Sequence, residues 1–92
     1  MKLIGRHILV QFKRKHADIR SQVDAWEAEV EEAEWATFHD LRRRYASSSS
    51  VPGGKVVFNL KGNKYRLRAR INYQYGIVSV DHAGTHEEYL KW

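Results

Sequence analysis

Three arginines alternate along one segment of the sequence, at Arg66, Arg68 and Arg70. In a β-strand, residues two apart point to the same face and lie about 6–7 Å from each other. Arginine side chains on such a face can bind phosphate oxygens through paired hydrogen bonds. The spacing therefore predicts a strand with either an anion-binding face or a merely solvated outer face, and the residue types alone leave both open.

The segment around these arginines is uniformly basic. Six Lys and Arg and no Asp or Glu lie between Lys55 and Arg70, with Lys61 and Lys64 at one end of the predicted strand. The formal net charge of the chain is +5, which suits a polyanionic partner. Cations that pair with phosphates, interleaved with rings that stack on bases, suit RNA. The rings are Tyr65, Tyr73, Tyr75, Tyr89 and Trp92, of which Tyr65 and Tyr73 are expected in the core.

His86 is the candidate for proton transfer, because it opens the last predicted helix just after a strand and can reach the rim of the basic face. A lone histidine can equally be structural. His7, His16 and His39 are expected to be ordinary surface or capping residues. No H-E-x-x-H pattern, cysteine, P-loop or nucleophile elbow is present, so no metal or cofactor site is expected.

The first half of the chain predicts helices. Residues 1–4 fit an edge strand, and residues 6–15 predict a helix with Ile8, Leu9 and Phe12 facing inward. Asp18 is the expected N-cap of a second helix, and Thr37 or His39 lies near the start of a third. The second helix has an apolar stripe of Ile19, Val23, Trp26, Val30 and Ala33, and the third has one of Phe38, Leu41 and Tyr45.

After a predicted break over 47–54, the hydrophobic period changes to two. This predicts a meander of three strands over 56–60, 65–73 and 77–83, followed by a helix over 86–92 that Thr85 caps. The expected fold class is α+β in a single domain over 1–92, with helices on one face of a small antiparallel sheet and a short C-terminal helix. No secretory signal or membrane span is expected, so the predicted location is the cytoplasm.

The stretch from Lys55 to Tyr89 resembles the HigB family of bacterial toxins, which belong to the wider RelE-like group of mRNA interferases. The resemblance rests on the blocks VVFN, KGNKYRL, RINY, GIV and GTHEEY. Upstream, Arg6, Phe12, His16-Ala17-Asp18, Trp26, Ala33-Glu34-Trp35 and Asp40-Leu41 occur in the order and spacing of that family.

The resemblance implies the toxin of a type II toxin–antitoxin module with a RelE-like fold. Such a toxin cuts mRNA on the translating ribosome without a metal, as the 2′-hydroxyl attacks the adjacent phosphate. A HigA-like antitoxin with a helix-turn-helix domain holds it inactive. On this basis we expect Arg66 and Arg68 to bind phosphate, Lys61 and Lys64 to clamp the substrate or stabilise charge, and His86 to act as acid or base. Tyr89 is a stacking or proton-transfer partner, and Arg70 and Asn72 are further RNA-binding candidates.

The chain departs from the family pattern in two places. Members carry a basic and then an aromatic residue before the GTH block, where this chain has Asp81 and His82, and Ala17 replaces a frequent proline. Alternation with Val80 predicts that Asp81 faces the arginines, where it could neutralise part of the surface or orient a base. Two other functions stay open: a non-catalytic RNA-binding domain, since a double-stranded RNA-binding domain has a similar element order, and a protein-interaction module.

Overall fold

Helices fill the first half of the chain and strands the second, as the change of hydrophobic period predicts. The computed structural model describes residues 1–92. The elements are β1 (Lys2–Ile4), α1 (Arg6–Lys15), a 3-10 turn (Ala17–Ile19), α2 (Arg20–Glu32), α3 (Phe38–Arg44), β2 (Ser49–Val51), β3 (Lys55–Leu60), β4 (Tyr65–Asn72), β5 (Ile77–Thr85) and α4 (His86–Tyr89).

The five strands form one mixed sheet in the order β1-β5-β4-β3-β2. The predicted meander is β3, β4 and β5, which pair antiparallel. Two edge strands extend it. β1 pairs parallel with β5, with Lys2 opposite Ile77, because α1 and α2 follow β1 and carry the chain across the sheet. The fold class is confirmed as α+β, and the expectation of a wholly antiparallel sheet is wrong at this one edge.

The predicted break over 47–54 contains a short strand. Ser49–Val51 form β2 and pair antiparallel with β3, so this part of the prediction is wrong. Serines have a low intrinsic strand preference, but the turn at Pro52–Gly54 reverses the chain and brings them against β3. Gly53 and Gly54 have φ of +89° and +70°, which glycine adopts without strain.

The first three helices cover one face of the sheet, as expected. A cluster of 18 buried residues joins α1, α2 and the inner sides of β3, β4 and β5. Four of the five residues of the predicted apolar stripe lie in this cluster, and the fifth, Ala33, is partly buried against it. Trp26 packs edge-on against Phe58 of β3 at 5.3 Å between ring centroids. On β4 the odd positions Tyr65–Ile71 are buried and face the helices, so the predicted alternation is confirmed on this side.

The acids of α2 pair largely with bases of the other helices. Arg6 of α1 contacts Glu27 and Glu31, and Arg44 of α3 contacts Glu29. Lys13 of α1 lies 2.7 Å from Asp24. The negative charge of the helical layer is therefore partly neutralised within that layer.

The helix ends show two corrections and two confirmations. Asp18 does not cap α2, because a 3-10 turn precedes the helix and Ile19 occupies the N-cap position without a side-chain bond. The Oγ1 atom of Thr37 accepts a hydrogen bond from the backbone N–H of Asp40, as expected for the cap of α3. Thr85 caps α4, but the helix ends at Tyr89 and only turns continue to Trp92.

Candidate nucleic-acid interface

The outer face of the sheet, opposite the helical layer, carries the three arginines of β4. Each lies between one residue of β3 and one of β5 at the same level of the ladder. Arg66 is flanked by Asn59 and Gly84, Arg68 by Val57 and His82, and Arg70 by Lys55 and Ser79. We call this surface, from Lys55 to Gly84 across the three strands, the arginine face.

The C-terminal segment folds back over the arginine face. The guanidinium of Arg66 lies 5.7 Å from the ring centroid of Tyr89, and that of Arg68 lies 5.5 Å from the ring of Trp92. Guanidinium groups at this distance are attracted to the negative face of an aromatic ring. Thr85 and Glu88 fix the start of α4 through a reciprocal pair of hydrogen bonds, a capping box.

Arg66 is buried rather than solvent-facing, which corrects the expectation of an open row of three arginines. Only 8% of its surface is exposed. Its Nη1 donates to the carbonyl oxygens of Asn63 and Tyr65 at 3.0 and 3.3 Å. Alternation along β4 placed the side chain on the correct face, but could not show that Tyr89 would return to cover it. Arg66 is therefore part of the arginine face and also packs between β4 and the C-terminal segment.

Arg68 is the centre of a polar cluster that joins three strands. Its Nε donates to Asp81 Oδ1 at 2.9 Å, and its Nη2 lies 2.8 Å from Nδ1 of His82. The ammonium of Lys55 lies 3.1 Å from the other oxygen of Asp81. The predicted position of Asp81 among the arginines is confirmed, and this carboxylate neutralises part of their charge.

A β-bulge accounts for the position of His82. Ala69 pairs with Val80 and Arg68 pairs with His82, so Asp81 is an extra residue on β5. Strict alternation would turn His82 to the same side as buried Val80. The extra residue instead brings both Asp81 and His82 to Arg68. Sequence analysis did not select His82 as a site residue, because no residue type in this segment marks a bulge.

Burial and hydrogen bonding have opposite effects on the pKa of the Asp81 carboxyl group. Partial burial alone would raise its pKa, but hydrogen bonds from Arg68, Lys55 and His82 outweigh burial and lower the pKa below the ordinary value. Asp81 is therefore ionised at neutral pH. Its single negative charge faces two permanent cations, so the cluster keeps a net positive charge.

Lys61 and Lys64 lie at the end of the sheet, where both pair with Asp18. The hydroxyl of Tyr65 donates to the same carboxylate at 2.8 Å. Hydrogen bonds from Lys64, Lys61 and Tyr65 hold the pKa of Asp18 well below its usual range. Asp18 thus ties the β3–β4 turn to the helical layer. The backbone N–H of Lys61 also donates to the side-chain oxygen of Gln22 in α2 at 2.9 Å, which is a second link between this turn and the helical layer.

His86 and His82 lie at opposite ends of a series of rings. The centroid of His86 is 6.3 Å from that of Tyr89, Tyr89 is 5.3 Å from Trp92, and Trp92 is 4.9 Å from His82. The side chain of His86 is exposed and borders a shallow depression with Lys64, whose carbonyl accepts the His86 backbone N–H at 3.1 Å. The ring of Tyr89 thus lies between His86 on one side and Arg66 on the other.

Arg70 has no partner within the protein, whereas the side chain of Asn72 forms a hydrogen bond there. Arg70 is exposed and forms no ion pair, so its guanidinium is open to a ligand. The side-chain oxygen of Asn72 accepts the backbone N–H of Tyr75 at 3.0 Å and thereby shapes the β4–β5 turn. Asn72 is thus held by a structural hydrogen bond that sequence analysis did not foresee.

A cleft of about 400 Å³ opens beside Arg68, between the C-terminal segment and the β2–β3 turn. Pro52 and Val57 supply apolar walls, Trp92 supplies an aromatic one, and Lys55 and Arg68 supply positive charge. Apolar walls with cations at the edge can accept a flat ring that carries a phosphate. The cleft lies directly on the arginine face.

No group of three or more His, Asp or Glu side chains is placed so that it could hold a metal ion. None of the helices combines the length and apolar character needed to cross a lipid bilayer.

A comparison with models of known protein families shows the family to which this chain belongs. The model of the HigB toxin family, described as the RelE-like toxic component of a toxin–antitoxin system, matches residues 19–92. The chain belongs to the HigB toxin family. Its arginine face, β-bulge and C-terminal segment all lie within the matched range, whereas Asp18 and the upstream positions Arg6, Phe12 and His16 lie outside it. No curated protein is significantly similar in sequence to the chain.

Membership gives this HigB toxin an antitoxin partner, because the family is defined as one component of a two-component system. Family membership also excludes the fold of a double-stranded RNA-binding domain. That domain has a helix, three strands and a helix, whereas this chain has three helices before the meander and a parallel edge strand.

Proposed function

We propose that this HigB toxin is an endoribonuclease that cleaves mRNA on the translating ribosome in the cytoplasm. The observation that carries the proposal is the placement of Arg66 and Arg68 on one sheet face, under Tyr89 and Trp92, with His86 at the end of the same ring series. Membership in the HigB family supports it, since RelE-like toxins are in general mRNA interferases.

RNA binding would begin with the cations that are most open. Arg70 is unpaired, and Lys64 is 58% exposed although it contacts Asp18. Lys61 is 48% exposed and adds positive charge at the same end of the sheet. These groups would attract the phosphate backbone, and the rings of Tyr89 and Trp92 would stack on unpaired bases. The side-chain oxygen of Asn72 is engaged in the β4–β5 turn, so Asn72 would contact the RNA through its side-chain NH2 group.

In the chemical step, the 2′-hydroxyl oxygen attacks the adjacent phosphorus and the bond from phosphorus to the 5′-oxygen breaks. Negative charge increases on the phosphate oxygens as this occurs, so the guanidiniums of Arg66 and Arg68 would stabilise the transition state more than the ground state. His86 would give a proton to the leaving 5′-oxygen. Tyr89 would hold the imidazole and the substrate base in place by stacking.

The antitoxin of this module would be a HigA-like protein with a helix-turn-helix DNA-binding domain. An inhibitor that keeps a nuclease inactive must bind tightly, and stable interfaces bury more than about 1,000 Å² in total. Co-expression with the adjacent reading frame should restore growth and yield a complex that stays associated at micromolar concentration. Separate elution of the two proteins would contradict this partner.

Induced expression followed by primer extension on cellular mRNA tests the proposal directly. The wild-type chain should stop growth and produce new mRNA ends, and Arg68→Ala should lose both effects while remaining folded. Arg42→Ala is the matched control, because Arg42 is an exposed arginine of α3 in the helical layer. A wild-type protein that binds RNA but leaves it intact, with and without ribosomes, would replace the nuclease with a non-catalytic RNA-binding toxin.

A further inference from the structure

His82 and Asp81 form a pair that the function proposed above does not use. The β-bulge turns both side chains to the arginine face. Their position beside Arg68 therefore puts an imidazole and a carboxylate next to a phosphate-binding guanidinium.

The Nδ1 atom of His82 faces two partners that make opposite demands on it. Arg68 Nη2, at 2.8 Å, can only donate a hydrogen bond, and Asp81 Oδ1, at 3.2 Å, can only accept one. A neutral imidazole satisfies one of them at a time. When Nδ1 accepts from Arg68, the ring proton is on Nε2. When Nδ1 donates to Asp81, Nε2 has a free lone pair and can act as a base.

Substrate binding would select the second arrangement. A phosphate on Arg68 competes for the guanidinium and draws its donor away from Nδ1, because an anionic acceptor is stronger than a neutral ring nitrogen. Asp81 stays in place, since Lys55 holds its other oxygen at 3.1 Å. The imidazole then donates to Asp81 and presents its unprotonated Nε2 toward the ligand.

The imidazole of His82 also packs against the ring of Trp92. His82 lies 4.9 Å from Trp92 at an interplanar angle of 33°, and 45% of its side chain is exposed. The charged or titratable groups around it are Arg68 on β4, Asp81 on β5 and, through Asp81, Lys55 on β3, while α4 and its extension contribute the neutral ring of Trp92. One face of the imidazole is thus packed, and the rest is open to a substrate.

From this geometry we propose that His82 is the general base of the reaction and that Asp81 is its positioning residue. This inference rests on the proposed function. The proton of the 2′-hydroxyl moves to Nε2 of His82 as the O2′–phosphorus bond forms and the phosphorus–O5′ bond breaks, and O5′ takes a proton from His86. The products are a 2′,3′-cyclic phosphate and a 5′-hydroxyl. Solvent then carries the proton from His82 back to His86.

The test is the single-turnover cleavage rate of the purified toxin over pH 5 to 8.5, with a ribosome-bound mRNA as substrate. His82→Phe keeps an aromatic ring against Trp92 but removes both nitrogens. We expect its rate to fall about 10²–10⁴-fold, with loss of the rate increase from low pH toward neutrality. Binding of the 2′-O-methyl form of the same RNA should be unchanged. His39→Gln, an exposed histidine of α3, is the matched control.

Asp81→Asn tests the positioning role separately. It keeps the size of the side chain but removes the negative charge that favours a proton on the imidazole, so the acid limb of the rate profile should move to lower pH. A merely structural role would lower the rate equally at every pH. Should His82→Phe not fold, His82→Gln provides the same comparison.

Two results would overturn the inference. A His82→Phe or His82→Gln protein that cleaves at the wild-type rate with the wild-type pH profile would remove His82 from catalysis while leaving the nuclease intact. A wild-type protein that does not cleave at all would instead remove the proposed function, and the general base with it.

Discussion

Asp18 Oδ2 lies 2.9 Å from Lys64 Nζ and so connects the 3-10 turn after α1 to the turn between β3 and β4. The same oxygen lies 3.0 Å from the ammonium of Lys61. An aspartate that sequence analysis places at a helix cap is therefore an anchor between the helical layer and the basic end of the sheet. The contact fastens the β3–β4 turn and neutralises part of the positive charge at this end of the sheet.

Asp18→Asn should make stability less dependent on pH in acid. Hydrogen bonds from Lys64 and Lys61 keep the pKa of the folded carboxyl below the value of about 3.9 expected for an unfolded chain. The contribution of this carboxylate is thus complete above about pH 4 and is lost as pH falls through the folded pKa. Urea unfolding should show a stability difference between wild type and variant at pH 7 that shrinks toward pH 3. Glu34→Gln, at an exposed carboxylate, should show no such trend.

Arg66→Ala and Arg70→Ala should differ in stability. Removing Arg66 deprives two carbonyl oxygens of their donor and uncovers the underside of Tyr89, so the free energy of unfolding should fall by about 1–3 kcal/mol. Arg70→Ala, at an exposed position, should change it by less than about 0.5 kcal/mol. Equilibrium unfolding monitored by circular dichroism makes the comparison. Equal stability of the two variants would mean that the burial of Arg66 contributes nothing.

Arg70→Ala should weaken RNA binding in a way that salt reveals. Arg70 is exposed and unpaired, so a phosphate that it neutralises would release a counterion. The slope of log Kobs against log salt concentration should become less steep by about 0.7 for single-stranded RNA. Filter binding across a salt series measures it. Arg42→Ala, at an exposed arginine of α3, should leave the slope as it is in wild type.

Thr85→Ala should loosen the C-terminal segment. The Thr85 hydroxyl accepts the backbone N–H of Glu88, and loss of such a cap costs about 1 kcal/mol. Amide exchange of Leu90, Lys91 and Trp92, which are bonded to α4 carbonyls, should speed up on the order of five-fold. Thr37→Ala removes the cap of α3 and serves as the control. Unchanged protection in Thr85→Ala would show that ring contacts, rather than the cap, hold the segment.

The hydrophobic periodicity of the sequence was sufficient to predict the helices and strands that bury one face in the core. The stripe from Ile19 to Val30 and the alternation from Tyr65 to Ile71 both lie in the core where expected. These patterns are reliable because an apolar side chain on the wrong face would be exposed to water. The prediction did not extend to β2, because Ser49 and Ser50 gain their strand geometry from β3 and not from their own side chains.

The residue types of the candidate interface could be predicted from the sequence, but the way in which these residues contact one another could not. Arg66, Arg68, Tyr89 and His86 were selected from residue type, spacing and resemblance, and the structure brings them to one side of the molecule. The burial of Arg66 and the position of His82 were not predicted. Both depend on contacts between segments far apart in sequence or on an unmarked bulge, and no local pattern encodes either.

The parallel pairing of β1 with β5 links the order of synthesis to the order of folding. Lys2 is translated early, but its strand partner Ile77 follows the helices and the other three strands. A nascent chain that has emerged only as far as β4 has no partner for β1, no bulge beside Arg68 and no ring over Arg66. Contacts of such long sequence separation also form slowly. The arginine face is therefore complete only after β5 and the C-terminal segment have been synthesised.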